Sequence, residues 1–301
     1  MERAAIILNR RARNAPSTER LLAAAGALRP DGWQVELKVT GGPGEATSLA
    51  RDAAAAGAHV VFACGGDGTL NEVANGLVGG EAALGVIRGG MGNVFAKEIG
   101  VPRAPEAALR LLVDGEQRRF DLGLAGERYF IAMCGVGFDA GVVRRVPGRA
   151  KRLAGSASYA VWGALELLGH RSRRTRLTVD SGAFEEVDLY WLLLGNTRSY
   201  GGVIDITAGA RVDDGRLDAY VFAGGGLPWL LGTALRVATK RQDGGRGIGF
   251  RRLRELTIET AGLPVQADGE YLGETPMAFA VAASALTVLL PPGGGAALFS
   301  A

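Results

Sequence analysis

The chain has 301 residues, 48% of them hydrophobic, with 34 basic and 31 acidic side chains and a formal charge of +3. That length allows two domains with a sizeable core, and the near balance of charge gives no electrostatic argument for a nucleic-acid partner. No uncharged apolar run reaches the ~18 residues a spanning helix needs, and Met1-Glu2-Arg3 leads straight into a short strand rather than a signal peptide, so a cytoplasmic protein is expected.

Residues 4–8 form an apolar first strand ending at Asn9. The arginines that follow, Arg10, Arg11 and Arg13, serve equally well as phosphate contacts or as solvated loop charges. Residues 17–28 have helical spacing, with Leu21, Leu22 and Leu28 apolar. Residues 34–39 alternate as a strand closed by Thr40. A Gly41-Gly42-Pro43-Gly44 turn and an Ala-rich helix over 45–56 come next. The apolar run 60–63 is a buried strand that enters Cys64-Gly65-Gly66-Asp67-Gly68-Thr69-Leu70-Asn71-Glu72, and Leu70, Val73, Ala74 and Leu77 then sit at helical spacing.

This strand, glycine loop and helix start form a junction suited to an anion, because glycines permit sharp turns and the first helical N–H groups are open. The plain alternative is a βα turn whose Asp67 caps a helix. Two common phosphate fingerprints do not fit. The third glycine of G-x-G-x-x-G is replaced by Asn71, and none of the four lysines follows a glycine as a Walker loop requires. Residues 83–87 are a fourth strand leading into Arg88-Gly89-Gly90-Met91-Gly92-Asn93. A helix over 104–113 and the stretch 118–123 leave this region. The βαβαβα order predicts a parallel sheet, whose ligands bind beyond the carboxyl ends of the strands. Asn9, Thr40 and Gly65 to Thr69 all fall at such ends, which points to a nucleotide site.

From Tyr129 the pattern changes. A strand over 129–134 enters Gly135-Val136-Gly137-Phe138-Asp139, followed by Arg144, Arg145, Arg149, Lys151 and Arg152, and a helix over about 156–168. After Arg171, Arg173, Arg174 and Arg176 come short strands at 177–179, 187–194, 217–222, 256–260, 278–282 and 286–290. These predict an antiparallel β-sandwich. The expected organisation is α/β plus all-β: a parallel-sheet nucleotide domain over 1–123, a β-sandwich over 124–292, and a tail over 293–301, loose or packed back on the first domain. Cys64 and Cys134 lie in apolar runs as buried free thiols, and two histidines offer little material for a His-based metal site.

Two further stretches carry acids beside glycine. Arg211-Val212-Asp213-Asp214-Gly215-Arg216-Leu217-Asp218 follows Tyr200-Gly201-Gly202, and Ala267-Asp268-Gly269-Glu270 follows Pro264-Val265-Gln266. Alone, each is an ordinary Asp-Gly turn.

Taken together, Gly-Gly-Asp-Gly-Thr-Leu-Asn-Glu-Val and the two Asp-Gly stretches, in this order, resemble the diacylglycerol kinase catalytic-domain family, which includes bacterial lipid kinases and sphingosine kinases. The loop is shared with NAD kinases and, more distantly, phosphofructokinases. The resemblance covers about residues 4–292. It implies an ATP-dependent kinase that transfers the γ-phosphoryl group to a lipid hydroxyl, with diacylglycerol-like acceptors in view. It implies ATP contacts at Thr40, Gly66, Asp67, Gly68, Thr69, Leu70, Asn71 and Glu72 and at the second loop, Gly90, Met91, Gly92 and Asn93. Asn9 and Gly65 join them by position. It implies magnesium held by Asp214 with the backbone carbonyls of Arg211 and Arg216. It makes Asp268 the general base, with Glu270 completing the Asp-Gly-Glu stretch. Two departures stand out: Met91 replaces the usual threonine and cannot donate a hydroxyl hydrogen bond, and Arg10-Arg11-Ala12-Arg13-Asn14 replaces a proline, small residue and glycine.

A membrane lipid is thus the implied partner, with peripheral contact at the inner membrane face. The segments 227–231 and 162–168 are candidates for that contact and equally for buried core. A monomer and a homodimer are both compatible with the sequence. The rival readings are an NAD kinase-like enzyme and a non-catalytic, lipid-binding regulatory relative.

Overall fold

The structure is a computed structural model that describes residues 1–146, 162, 163, 166, 169–202, 205–225, 227–239 and 245–300. It divides into two compact units, Met1–Asp121 with Ser284–Phe299, and Leu122–Ala283.

In the first unit, strands β1 (Glu2–Leu8), β2 (Trp33–Val39), β3 (Val60–Gly65) and β4 (Ala83–Arg88) pair in parallel, in the order β2-β1-β3-β4. Ile6, Ile7, Val60, Val61, Phe62 and Leu84 are fully buried, as expected for strands covered on both faces. Gly85 of β4 is required by its neighbour, since a Cβ there would lie 2.5 Å from the Phe62 ring. Helices α1 (Thr18–Gly26), α2 (Glu45–Ala55), α3 (Asp67–Leu77), α4 (Val94–Glu98) and α5 (Pro105–Asp114) connect and cover the strands. Ser17 starts α1 by accepting the Arg20 N–H at 3.2 Å. The chain leaves this unit along β5 (Glu116–Ala125). The second half of β15 (Met277–Leu290) runs parallel to β4, with Val288 opposite Leu84. Beyond it, Phe299 packs edge-on to Phe120 at 5.2 Å and carries the Arg118 guanidinium 4.0 Å above its ring.

The second unit is the antiparallel β-sandwich. Strands β7 (Met133–Gly137), β8 (Arg173–Val179), β9 (Phe184–Gly195), β10 (Leu217–Ala223), β11 (Ile248–Leu253), β12 (Glu255–Ile258), β13 (Pro264–Ala267), β14 (Glu270–Glu274) and the first half of β15 pair antiparallel throughout. Its core includes Phe130, Val136, Leu192, Leu194, Leu217, Ile258, Val265 and Phe279. Beside it, Trp191 and Phe222 stack at 4.6 Å.

Several elements differ from the sequence reading. The strand read over 129–134 is two pieces, β6 (Arg128–Phe130) and β7, because the N–H groups of Ile131, Ala132 and Met133 turn to a side chain instead of a strand. Phe138–Arg145 is a helix, α6, and Leu227–Ala238 a helix, α7. The runs 278–282 and 286–290 belong to one strand, and β11, β13 and β14 complete the sandwich. Of the helix read over 156–168 only residues 162, 163 and 166 are described, and Arg149, Lys151 and Arg152 lie outside the described residues.

Candidate functional site

In the first unit, two glycine loops meet backbone to backbone. Gly89 donates its N–H to the Gly65 carbonyl at 2.9 Å, and a Cβ on Gly90 would lie 2.5 Å from the Gly66 Cα. Only glycine allows that approach. Asp67 ties the pair together by accepting the Val94 N–H at 2.7 Å, which caps α4 rather than its own helix. Asn93, in the left-handed region at φ 46°, accepts the Gly90 N–H and donates to the Gly90 carbonyl. No side chain caps α3, whose N-cap is Gly66, so the positive end of an eleven-residue helix starts at the loop.

Asn9, at the end of β1, donates to the Thr69 hydroxyl at 2.9 Å and accepts the Arg11 N–H. Thr69 packs beneath Gly65, where a Cβ would strike its hydroxyl at 2.6 Å. Leu70 and Asn71 are buried in α3, and the Asn71 side chain accepts from Asn75. Glu72 reaches α2 and accepts the Ala46 N–H at 3.2 Å. Thr40 donates its N–H to the Leu8 carbonyl at 2.9 Å, and the N–H groups of Gly41 and Gly42 both point to the Glu45 carboxylate. Met91 is exposed, with its sulfur 3.2 Å from Arg13. Asn14, which sequence reasoning missed, stitches the departing loop to the second glycine loop through the Gly89 and Gly90 carbonyls. Its only signal was its place after the arginines. The structure thus brings Asn9, Gly65 to Thr69, Gly90, Gly92 and Asn93 together, while Leu70, Asn71 and Glu72 serve helix packing.

In the second unit, Asp268 occupies the turn between β13 and β14 at φ 47°. Its Oδ1 accepts the N–H groups of Ala132 at 2.9 Å and Met133 at 3.0 Å, and its Oδ2 that of Ile131 at 2.8 Å. Three backbone donors fix the carboxylate's orientation. Glu270 pairs with Arg128 at 3.3 Å. Asp139, buried at the start of α6, accepts from Gln266 at 2.8 Å; burial pushes its carboxyl up to about 6, against the lowering hydrogen bonds from Gln266 and others.

The other acidic turn holds a cation of its own. Asp214 accepts the Arg216 N–H at 2.9 Å and faces the Arg252 guanidinium, whose Nε lies 3.2 Å from Asp218. Asp218 is buried, which raises its carboxyl to about 6 despite the nearby charge of Arg211. Two carboxylates thus converge on one guanidinium, and their hard oxygens are of the kind magnesium takes. Among the described residues, no cluster of three acidic, His or Cys side chains forms a metal cage.

Four of the described arginines in the basic clusters have acidic partners: Arg144 with Glu274, Arg145 with Glu166, Arg174 with Glu186 and Arg176 with Glu259. Trp229 donates to the Arg246 carbonyl and meets Tyr190 edge-on, facing protein. Leu177, Val187, Leu192, Val221 and Leu256 line an apolar cavity of about 260 Å³ in the sandwich, with the Glu185–Arg251 ion pair at its wall. No described helix is long and apolar enough to cross a membrane.

A parallel-sheet domain with paired glycine loops, joined in one chain to an acid-bearing sandwich, defines the kinase class that the loop resembles. The diacylglycerol kinase catalytic domain family matches residues 3–125, and the YegS C-terminal NAD kinase beta sandwich-like domain matches residues 132–290. A probable lipid kinase YegS-like from Pseudomonas aeruginosa is 36% identical over 289 residues, covering 91% of each chain. One from Chromohalobacter salexigens is 34% identical over 220 residues, 72% of this chain and 70% of its own. A crystal structure of a diacylglycerol kinase from Bacillus anthracis str. Sterne shares the fold, with a TM-score of 0.71 at 20% identity over 97% of this chain and 98% of that one. The chain belongs to the YegS-like branch of the diacylglycerol kinase family, the lipid kinases, which take ATP as co-substrate and an alcohol as acceptor.

Proposed function

We propose that the protein transfers the γ-phosphoryl group of ATP to the hydroxyl of a diacylglycerol-like lipid. The observation that carries this reading is the contact of the two glycine loops at the start of α3, with no side-chain cap on that helix. Backbone N–H groups there bind the nucleotide phosphates, and no Walker lysine is needed. Asp268, held by its three backbone donors, takes the proton of the lipid hydroxyl. The hydroxyl oxygen then bonds to the γ-phosphorus as the bond to the bridging oxygen breaks and ADP leaves. Magnesium, when bound through Asp214 and the carbonyls of Arg211 and Arg216, supplies positive charge beside the acidic turn. The apolar cavity of the sandwich takes part of the acyl chain. The lipid is met at a membrane surface by peripheral contact.

The test is transfer of labelled γ-phosphate to a panel of diacylglycerol, monoacylglycerol, phosphatidylglycerol and sphingosine, with NAD as the control acceptor. Asp268→Ala should bind ATP normally and lose transfer by about 100-fold or more. Because Asp268 also clamps residues 131–133, its melting curve must be recorded alongside. A variant that melts like wild type and still turns over removes Asp268 from the role of base. Labelling of NAD in place of lipid overturns the assignment of acceptor.

A further inference from the structure

Asp139 is 3% exposed and lies in the first turn of α6, within the sandwich unit. Its Oδ2 accepts a hydrogen bond from Gln266 Nε2 at 2.8 Å and lies 3.4 Å from the Tyr200 hydroxyl. Gly135 makes room for this carboxylate, since a Cβ there would strike Oδ2. The far end of the same Gln266 amide, Oε1, accepts the Gly269 N–H at 2.9 Å. An ionised carboxylate only accepts, so Asp139 dictates which end of the amide it meets, and the carbonyl end is left for Gly269. That N–H closes a turn in which two consecutive residues, Asp268 at φ 47° and Gly269 at φ 80°, are left-handed. Asp-Gly suits such a two-residue hairpin turn, and the Gln266 side chain adds a hold on it from β13.

We infer that Asp139, acting through Gln266, is a positioning residue that fixes the turn carrying Asp268 and so aims its carboxylate. The inference rests on the reading of Asp268 as the base. In Asp139→Asn, the facing amides pair either way round, and Gln266 loses its enforced orientation. In Gln266→Glu, two carboxylates face each other. The exchange Asp139→Asn with Gln266→Glu keeps the charge and restores the pattern, because the carboxylate then at position 266 accepts from both the new amide and Gly269.

The experiment combines amide hydrogen exchange at Gly269 with kinetics on whichever lipid of the panel wild type phosphorylates best. In wild type the Gly269 amide should be as protected as those of β13. Each single substitution should speed its exchange and lower kcat by about tenfold or more, with KM for ATP within about twofold. The double exchange should bring both to within about threefold of wild type. Full exchange of the wild-type Gly269 amide at the rate of an open turn overturns the inference, whatever the variants do. So does unchanged kcat in folded Asp139→Asn, or a folded double variant that recovers neither quantity. Asp268→Asn, assayed in parallel, separates the two claims: if it retains turnover, the base assignment fails, while the Gly269 amide still reports whether Asp139 holds the turn.

Discussion

Gly90 has no room for a side chain: a methyl group there would sit 2.5 Å from the Gly66 Cα, whereas one on Gly66 would find its nearest neighbour, the Gly90 Cα, at an ordinary 3.5 Å. Gly90→Ala should therefore part the two loops and weaken ADP binding by about tenfold or more, read by calorimetry, with the far-ultraviolet circular dichroism unchanged. Equal ADP affinity in Gly90→Ala and wild type would mean that loop contact does not shape the site. Arg252 offers a second residue-level test. Arg252 faces the Asp214 carboxylate proposed to hold magnesium, so Arg252→Ala should raise Mg²⁺ affinity by about three- to tenfold, a modest gain because the guanidinium is half exposed. The same affinity in both proteins would place the metal elsewhere. At this scale the glycines and acidic turns were legible, because few residue types tolerate such backbone and charge. Their partners were not: Asp268 meets backbone N–H groups of residues 131–133, and Arg252 meets Asp214, from positions remote in sequence. Asp67 was open to either reading, and it caps a helix, though α4 instead of α3.

Among the elements, periodicity found β1 to β4 and the helices α1, α2, α3 and α5 to within a few residues, since each has one buried face or two, but it missed the short helix α4 and the strand β5. It failed where a side chain overrides the pattern. An apolar stretch at 129–134 reads as one strand until the Asp268 carboxylate claims its middle N–H groups. Helix α6 begins at Phe138 after Gly137 at φ 93°, and its short amphipathic run is masked by the glycines before it. The junction of α6 with the sandwich also has a pH signature. Burial raises the Asp139 carboxyl to about 6 from an ordinary 3.8, so the folded chain keeps a proton that the unfolded chain releases. The stability contributed by this group is complete below about pH 4, falls as pH rises toward 6, and levels off above it. Urea unfolding of wild type and Asp139→Asn should show their difference in unfolding free energy shifting by about 2–3 kcal/mol against wild type between pH 4 and pH 7. A constant difference across that range would mean Asp139 is not buried as a proton-binding carboxyl.

For the molecule as a whole, the alternation of strand and helix up to Asp121 and the run of short strands after it made the two-part architecture legible. Nothing local in 284–290 says which unit that stretch joins, because an apolar strand fits a parallel or an antiparallel neighbour equally; only the pairing of Val288 with Leu84 does. The acceptor lipid is written in no motif; the cavity proposed to take its acyl chain has walls drawn from β8, β9, β10, β11 and β12, far apart in sequence. Filling that space with Val221→Phe should raise KM for a long-chain lipid by about tenfold while leaving KM for ATP alone. Equal KM values in the two proteins would put the acyl chain somewhere else.

The most direct measurement is a single assay: [γ-³²P]ATP, Mg²⁺, purified protein and mixed micelles of the lipid panel, followed by extraction of the organic phase. Labelled phospholipid that disappears with Asp268→Ala is the expected result. Label that stays in the aqueous phase with every lipid offered, from protein shown to be folded, would contradict phosphoryl transfer to a lipid hydroxyl.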